Sequence, residues 1–166
     1  MKLIFLDIDG VLNHPEFLKA HAITNYKSVP MALLACIDPV AVGRLNRLVE
    51  ITEAKIVVSS PWRTIMRIGQ LQSTFERAGV KTCPFSQTPN LGTTRGREIQ
   101  SWLDRRRLTL PIESYVILDD DDADDADMGH LIPKLVQTSR EKGLQDVHVE
   151  RALDILMPRR SAQECG

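Results

Sequence analysis

The feature that most constrains the fold is a set of short apolar runs, each of which leads directly into polar residues. Three of these runs cover residues 3–6, 55–58 and 115–118, and a weaker fourth run covers residues 134–138. Short, continuous apolar runs are typical of strands that are buried on both faces. We therefore predict that the four runs are strands of a mainly parallel sheet.

Helical patterns lie between the apolar runs. Asp38 and Pro39 supply an N-cap and a proline at the first helical position, and an apolar stripe follows them as far as Val49. Similar stripes predict helices around residues 71–78, from about residue 94 to before Pro111, and around residues 149–156. Strands that alternate with helices are typical of an α/β, Rossmann-like fold whose helices flank the sheet.

The polar residues at the strand ends are the first candidates for a functional site. In open α/β sheets, ligands bind beyond the carboxyl ends of the strands. Strand ends that are far apart in sequence would bring their side chains to one crevice at that edge. The residues concerned are Asp7, Asp9, Ser59, Ser60, Asp119 and Asp120.

Length and composition indicate one soluble globular domain. The 166 residues suffice for one full hydrophobic core, and 43% of them are hydrophobic and 26% charged. We expect a single domain over residues 1–157 and a disordered tail over residues 158–166. The net charge of −1 gives no global field that would attract nucleic acid or an anionic membrane.

Neither the cysteines nor the apolar segments indicate an extracellular or membrane protein. Cys36, Cys83 and Cys165 are far apart and form no C-x-x-C pair, so they predict no disulfide framework and no zinc knuckle. No apolar stretch approaches the ~20 residues that a membrane-spanning helix needs. The N-terminal apolar run is too short for a signal peptide and lacks a cleavage site of small residues. We therefore expect a cytoplasmic protein with no membrane partner.

The strongest local motif is F-L-D-I-D-G-V-L at residues 5–12, in which two acids follow an apolar strand and a glycine permits a sharp turn. This motif resembles the first motif of the haloacid dehalogenase-like superfamily. The resemblance implies that Asp7 attacks phosphorus and forms an aspartyl-phosphate. It also implies that Asp9 protonates the leaving group and then activates water, and the presence of Asp9 argues against dehalogenase chemistry.

A carboxylate that attacks a phosphate meets charge repulsion, which a divalent cation between the two groups offsets. Mg²⁺ prefers hard oxygen ligands such as carboxylates. The superfamily holds its metal with acids that follow a later apolar strand, where this chain has Asp119 and Asp120. The resemblance therefore implies an Mg²⁺ site that is built from Asp7, from Asp119 or Asp120, and from the backbone carbonyl of Asp9.

Two further elements of the superfamily each leave a choice in this sequence. The second core strand of the superfamily ends in a Ser or Thr whose hydroxyl contacts the phosphoryl group, which implies Ser59, with Ser60 as the alternative. A Lys or Arg near the start of the helix before the last catalytic strand binds the same group. We interpret Arg95 as this residue, with Arg97 as the alternative, because Arg95 lies nearer to the predicted start of the helix.

The acidic stretch after the third apolar run is richer than the pattern of the superfamily. Asp119 and Asp120 directly follow the apolar strand, whereas the later acids are typical of a solvated acidic loop. Asp120 and Asp124 have the spacing of a G-D-x-x-x-D motif, so a role for Asp124 in the metal site stays open. The remaining acids of the stretch are Asp121, Asp122, Asp125 and Asp127.

A narrower resemblance covers nearly the whole chain. The stretches F-L-D-I-D-G-V-L-N, K-I-V-V-S-S-P-W-R, R-G-x-E-I and Y-V-I-L-D-D-D are similar to the HAD domain of Swiss army knife RNA repair proteins. That domain is thought to act on the phosphate ends of nucleic acids. The resemblance implies a phosphorylated substrate, either a small molecule or a nucleic-acid end. The arginines at 105–107 either contact a phosphate backbone or complement the dipole at the end of their helix.

Our interpretation is an Mg²⁺-dependent phosphomonoester hydrolase. Residues 13–37 leave room only for a loop or a short helix over the site, so we expect a minimal cap or none. The four histidines show no ligand spacing, and Trp62 and Trp102 are interpreted as core or rim residues. The alternative is a catalytically silent module that keeps the fold and binds a metal or a phosphate.

Overall fold

The computed structural model describes residues 1–24, 34–124 and 126–158. Within these ranges the chain forms five strands and five α-helices, together with two 3₁₀ helices at Pro61–Thr64 and Gly129–Lys134. The strands are β1 (Lys2–Leu6), β2 (Lys55–Val58), β3 (Ser86–Gln87), β4 (Ser114–Asp119) and β5 (Leu135–Gln137). The α-helices are α1 (Pro15–Ala20), α2 (Pro39–Thr52), α3 (Ile68–Arg77), α4 (Arg95–Arg106) and α5 (Asp146–Leu156).

The five described strands form one sheet in the order β3-β2-β1-β4-β5, and every neighbouring pair is parallel. In the central strand, Leu6 is in register with Val58 of β2 and with Leu118 of β4. The alignment continues beyond Leu6, because the N–H of Asp7 donates to Leu118 O and the N–H of Ser59 donates to Leu6 O, each at 2.9 Å. The three central strands therefore end at the same level, and the predicted α/β fold with a parallel sheet is confirmed.

Both faces of the sheet are covered, which explains the unbroken apolar runs. On one face, Ile4 and Leu6 of β1 belong to a buried cluster that includes residues of α2, α3 and α5. On the other face, Leu3 and Phe5 belong to a second cluster that includes residues of α4. The ring of Phe5 meets the ring of Trp102 edge to face there, with centroids 5.4 Å apart. Successive positions of β1 are therefore all removed from water, whichever face they point to.

The predicted elements correspond to the observed ones. Helix α2 begins at Pro39, where the Asp38 carboxylate accepts a hydrogen bond from the N–H of Val40 at 2.8 Å. Helices α3, α4 and α5 overlap the predicted helices, and the weak fourth run contains β5. Strand β3 is absent from the sequence-based prediction, because its two residues, Ser86 and Gln87, are polar and carry no strand pattern. It forms by pairing with the end of β2.

Two predicted segments lie partly outside the described residues. The connection over residues 13–37 contains the short helix α1, and its residues 25–33 are not among those described. The predicted tail lies outside them apart from Pro158, as does Cys165. None of the described helices has the length and apolar character that crossing a membrane requires.

Candidate active site

The turn after β1 brings the first motif against the acids that follow β4. Gly10 has φ +71°, in the left-handed region that side chains rarely adopt. A Cβ at this position would also lie 2.6 Å from the Cβ of Asp120, so a side chain would displace that acid. The carbonyl of Gly10 accepts a hydrogen bond from the Thr138 hydroxyl at 2.8 Å, which ties the turn to the end of β5. Glycine at this position therefore lets the two acidic segments approach each other.

Three of the predicted metal ligands lie together at this edge of the sheet. One carboxylate oxygen each from Asp7, Asp119 and Asp120 can be chosen so that all three lie within 4.8 Å of one another. Asp7 and Asp119 are buried. Backbone amides orient them, since the N–H of Ile8 donates to Asp7 at 2.7 Å and the N–H of Asp121 donates to Asp119 at 3.1 Å. Three convergent hard oxygen donors fit the coordination chemistry of Mg²⁺.

Arg95 supplies the positive charge of the site. It is the first residue of α4, and its Nη1 lies 2.9 Å from Asp119 Oδ2 and 3.2 Å from Asp7 Oδ2. The next residue is Gly96, where a Cβ would lie 2.7 Å from the carbonyl carbon of Asp127. Arg97 lies outside this cluster, because its exposed side chain pairs with Asp127 at 2.8 Å. Of the two arginines that the sequence offers, Arg95 contacts the carboxylates.

Burial and the short distances between the charged groups shift the pKa values in this cluster. Burial raises the pKa of the Asp7 carboxyl, and the Arg95 guanidinium partly offsets this effect. Burial and the neighbouring Asp7 together raise the pKa of Asp119 to about 7. Burial disfavours the charged form of Arg95, but the carboxylates of Asp7 and Asp119 outweigh it and raise the pKa of the guanidinium. The acids are therefore held close together at an electrostatic cost that further positive charge would reduce.

The two candidate serines follow β2 at the edge of the sheet that carries Asp7, and their side chains have different environments. Ser59 is fully buried, and its hydroxyl has no hydrogen-bond partner within the described part of the chain. The Ser60 hydroxyl shares a hydrogen bond with the Asp7 carboxylate and accepts another from the N–H of Trp62 at 3.3 Å. A buried hydroxyl without a partner is rare in folded proteins. Ser59 thus has an unused donor at the end of β2, whereas the Ser60 hydroxyl interacts with Asp7.

The buried side chain of Arg63 joins the serine segment to α4. Its Nη1 donates to the carbonyl oxygens of Ser59 and Ser60 at 2.6 and 2.7 Å. Its Nη2 forms a buried ion pair with Glu98, which lies one helical turn after Arg95. This bridge fixes the strand end that carries the serines relative to the helix that carries the cation.

Asp9 is held by two donors that sequence reasoning missed. Trp62 Nε1 donates to Asp9 Oδ2 at 3.1 Å, and Asn13 Nδ2 donates to Asp9 Oδ1 at 2.8 Å. The indole of Trp62 is also part of the core, as the sequence interpretation expects. The hydrogen bond to Asp9 joins residues 53 positions apart, and no sequence pattern signals it.

The carboxylates of Asp7, Asp9, Asp120 and Asp121 line a crevice of about 300 Å³. Arg140, which follows β5, lines this crevice and was given no role by the sequence interpretation. Its Nε lies 2.9 Å from Asp120 Oδ2, and its Nη2 lies 3.3 Å from Asp121 Oδ1. Asp124 is not part of the three-acid cluster of the described residues, and its N–H donates to Asp122 within the acidic loop. His14 also lines the crevice, and its Nε2 lies 3.1 Å from Asp38 Oδ2.

The fold and the site together define the class of protein. A parallel α/β sheet with D-x-D-G after one strand, and an acid pair after another, has the architecture of haloacid dehalogenase-like domains. The chain matches the family described as the HAD domain in Swiss Army Knife RNA repair proteins over residues 3–149, and it belongs to that family. Searches of curated proteins and of solved structures each gave no significant match.

Proposed function

We propose that this protein is an Mg²⁺-dependent phosphomonoester hydrolase that works through an aspartyl-phosphate. The observation that carries the proposal is the convergence of Asp7 with Asp119 and Asp120, with the Arg95 guanidinium against two of the three. A nucleophilic carboxylate, further metal-binding oxygens and a phosphate-binding cation are the parts that this reaction needs.

Asp7 is the nucleophile in this proposal. One of its oxygens attacks phosphorus while the bond from phosphorus to the ester oxygen breaks. Arg95 and the hydroxyl of Ser59 hold the phosphoryl oxygens, since Arg95 already lies 3.2 Å from Asp7 and the Ser59 hydroxyl has an unused donor. Fixed donors that are aimed at developing charge lower the barrier to such a transfer.

Asp9 handles the protons. It gives a proton to the departing ester oxygen and then takes one from the water that attacks the aspartyl-phosphate, so that phosphate is released and the Asp7 carboxylate is restored. Trp62 and Asn13 hold both oxygens of Asp9 and thereby fix its orientation. We infer that these two residues position the acid/base.

Asp7, Asp119 and Asp120 would hold the Mg²⁺ ion, together with the backbone carbonyl of Asp9. When bound, the ion offsets the charge of the phosphate and of the attacking carboxylate. Asp119 and Asp120 have a further role, since they pair with Arg95 and Arg140, and both of these arginines line the crevice.

We propose a phosphorylated nucleotide or the phosphate end of a nucleic acid as the substrate. The support is the family, whose description names RNA repair proteins. The arginines at 105–107 lie at the opposite end of α4 from the site. Arg95 and Arg106 are the first and last residues of this 12-residue helix, so they lie about 16 Å apart along its axis.

The test is hydrolysis of an aryl phosphate with Mg²⁺ and with EDTA, by the wild type, by Asp7→Asn and by Asp154→Asn. Asp154 is an exposed residue of α5, so its variant makes the same chemical change away from the site. We expect turnover that requires Mg²⁺, that Asp7→Asn abolishes and that Asp154→Asn retains. Oligonucleotides with 3′- or 5′-phosphates then define the substrate.

Two results would contradict the proposal. Unchanged activity in Asp7→Asn would remove the proposed nucleophile. Absence of turnover on every substrate, combined with a rise in melting temperature on adding Mg²⁺, would favour a catalytically silent binding module.

A further inference from the structure

The crevice contains a second arginine, which differs from Arg95 in burial and in partners. The side chain of Arg95 is 9% exposed and contacts Asp7 and Asp119, whereas the side chain of Arg140 is 73% exposed and contacts Asp120 from the solvent side. Only the arginine side of the pair with Asp120 is exposed, because the side chain of Asp120 is 9% exposed. The second pair of Arg140, with Asp121, is exposed on both sides, at 73% and 38%, and ion pairs of that kind are weak. Arg95 is therefore a fixed part of the site, and Arg140 can change its partner.

The backbone that carries Arg140 is anchored next to the site. The N–H of Thr138 donates to Asp119 O at 2.8 Å, and the Thr138 hydroxyl donates to Gly10 O at 2.8 Å. After Arg140, a turn closes with the N–H of Gly143 donating to Ser139 O at 2.6 Å. The backbone of Arg140 is therefore fixed next to the site, and rotations of the Arg140 side chain keep the guanidinium at the rim of the crevice.

Arg140 competes with a divalent cation for the same carboxylate. Its Nε lies 2.9 Å from Asp120 Oδ2, and Asp120 is one of the three acids that converge with Asp7. A cation bound to Asp120 would neutralise the carboxylate that attracts the Arg140 guanidinium, and the positive charge of the cation would repel the guanidinium. Asp121, at 3.3 Å, would retain part of the attraction and keep the guanidinium nearby.

We propose that Arg140 is a substrate-binding residue that exchanges Asp120 for a second, non-reacting phosphate of the substrate when a divalent cation occupies the acids. This inference rests on the proposed phosphatase function and narrows its substrate to compounds with two phosphates. Arg140 lies close to Asp7, because it contacts Asp120 and an oxygen of Asp120 lies within 4.8 Å of an oxygen of Asp7. The planar guanidinium binds a phosphate through two parallel hydrogen bonds.

The reacting phosphate and the second phosphate would have separate contacts. Arg95 lies on the Asp7 side of the cluster, where the proposed nucleophile would receive the transferred group. Arg140 lies on the Asp120 and Asp121 side, at the mouth of the crevice. A nucleoside bisphosphate and an end-phosphorylated oligonucleotide both provide the two groups, and the assay compares them.

The first measurement is Mg²⁺ binding by calorimetry, without substrate, to the wild type and to three variants. Arg140→Gln is expected to bind Mg²⁺ about two- to five-fold more tightly, because the competing charge is gone. Arg140→Lys keeps the charge and is expected to bind like the wild type. Arg77→Gln, an exposed arginine of α3 outside the crevice, controls for net charge and is expected to bind like the wild type.

The second measurement is ligand binding in the Asp7→Asn background, which prevents turnover; because Asp7 is also a proposed metal ligand, Mg²⁺ is added to the saturating concentration that calorimetry gives for this variant. With Mg²⁺ present, a nucleoside 3′,5′-bisphosphate and a 3′-phosphorylated dinucleotide are compared with nucleoside 3′- and 5′-monophosphates. We expect the ligands with two phosphates to bind more tightly, and Arg140→Gln to reduce this preference about ten-fold. Arg140→Lys is expected to lose most of the preference, because an ammonium cannot form the bidentate contact.

Three results would overturn the proposal: no preference for a second phosphate in Asp7→Asn, the same preference after Arg140→Gln, or unchanged Mg²⁺ affinity in Arg140→Gln. Failure of the hydrolase function gives a different pattern. In that case the wild type lacks turnover, while the effects of Arg140→Gln on Mg²⁺ and bisphosphate binding persist.

Discussion

Glu98→Gln is expected to destabilise the protein by about 3–5 kcal/mol, because it breaks a buried ion pair and leaves one charge without its partner. The side chains of Arg63 and Glu98 are 5% and 4% exposed, so water and salt screen the pair little. Burial lowers the pKa of Arg63 even though the Glu98 carboxylate opposes that change. Without the carboxylate, the guanidinium retains its burial cost and loses its main compensation.

The assay is equilibrium unfolding in urea, followed by circular dichroism. Small domains are typically stable by about 5–15 kcal/mol, so the expected loss is a large part of the total and moves the midpoint clearly. The matched control is Glu150→Gln, which breaks the ion pair with Arg47. The side chains of that pair are 60% and 43% exposed, and its loss is expected to cost less than about 1 kcal/mol.

A double variant tests whether the two charges act as a pair. Arg63→Met combined with Glu98→Gln should be destabilised by clearly less than the sum of the two single variants, since neither charge then remains buried alone. The reasoning is refuted if Glu98→Gln lies within about 1 kcal/mol of the wild type, as an exposed pair would. It is also refuted if the single effects simply add.

Four further variants test other contacts of the site and the fold. Trp62→Phe removes the hydrogen bond to Asp9 and should lower kcat about ten-fold on alkyl phosphates, with KM little changed. The decrease in kcat should be smaller on aryl phosphates, because their leaving groups need less protonation. Gly96→Ala places a Cβ against the Asp127 backbone and should cost about 1–3 kcal/mol in urea unfolding, whereas Gly43→Ala, with nothing within 4 Å, should stabilise α2. Burial, together with the charges of Arg151 and Arg44, lowers the pKa of His148 below its ordinary value of 6.5. Above pH 6.5 the imidazole is neutral in both the folded and the unfolded protein, so it costs no stability there. As the pH falls below 6.5 the unfolded state binds the proton more readily, and the free energy of unfolding should decrease. The melting temperature of the wild type should therefore fall more between pH 7.5 and 5.5 than that of His148→Gln, and an equal fall would contradict this assignment.

The strand ends were predictable from the sequence because the burial of a strand determines which residue types occupy its own positions. A strand covered on both faces is apolar at every position, and its polar continuation marks the level at which the sheet ends. Asp7, Ser59 and Asp119 were found in this way, and parallel pairing brings them together. Arg95 was chosen over Arg97 because the start of a helix also has a signal in the neighbouring sequence, and Arg95 lies nearer to that start.

The contacts between side chains were not predictable, because they depend on distances across the fold. Arg140 lies in a polar stretch without periodicity, and its partner Asp120 is 20 positions away. The bond between Arg63 and Glu98 spans 35 positions and joins a 3₁₀ helix to α4. Strand β3 has the same origin, since its two polar residues become a strand by pairing with β2.

The parallel order of the sheet has a consequence for how the molecule acquires its site. Parallel neighbours cannot be joined by a tight hairpin, so each strand pair must wait for a crossover segment to be in place. The central strand β1 pairs with β4, whose register partner for Lys2 is Ser114. Closing such long loops is slow, and helices such as α2 form from local contacts much earlier. We therefore expect the acids at the ends of β1 and β4 to meet late in folding, so that any cation binding by these acids would report the pairing of the two strands rather than the formation of helices.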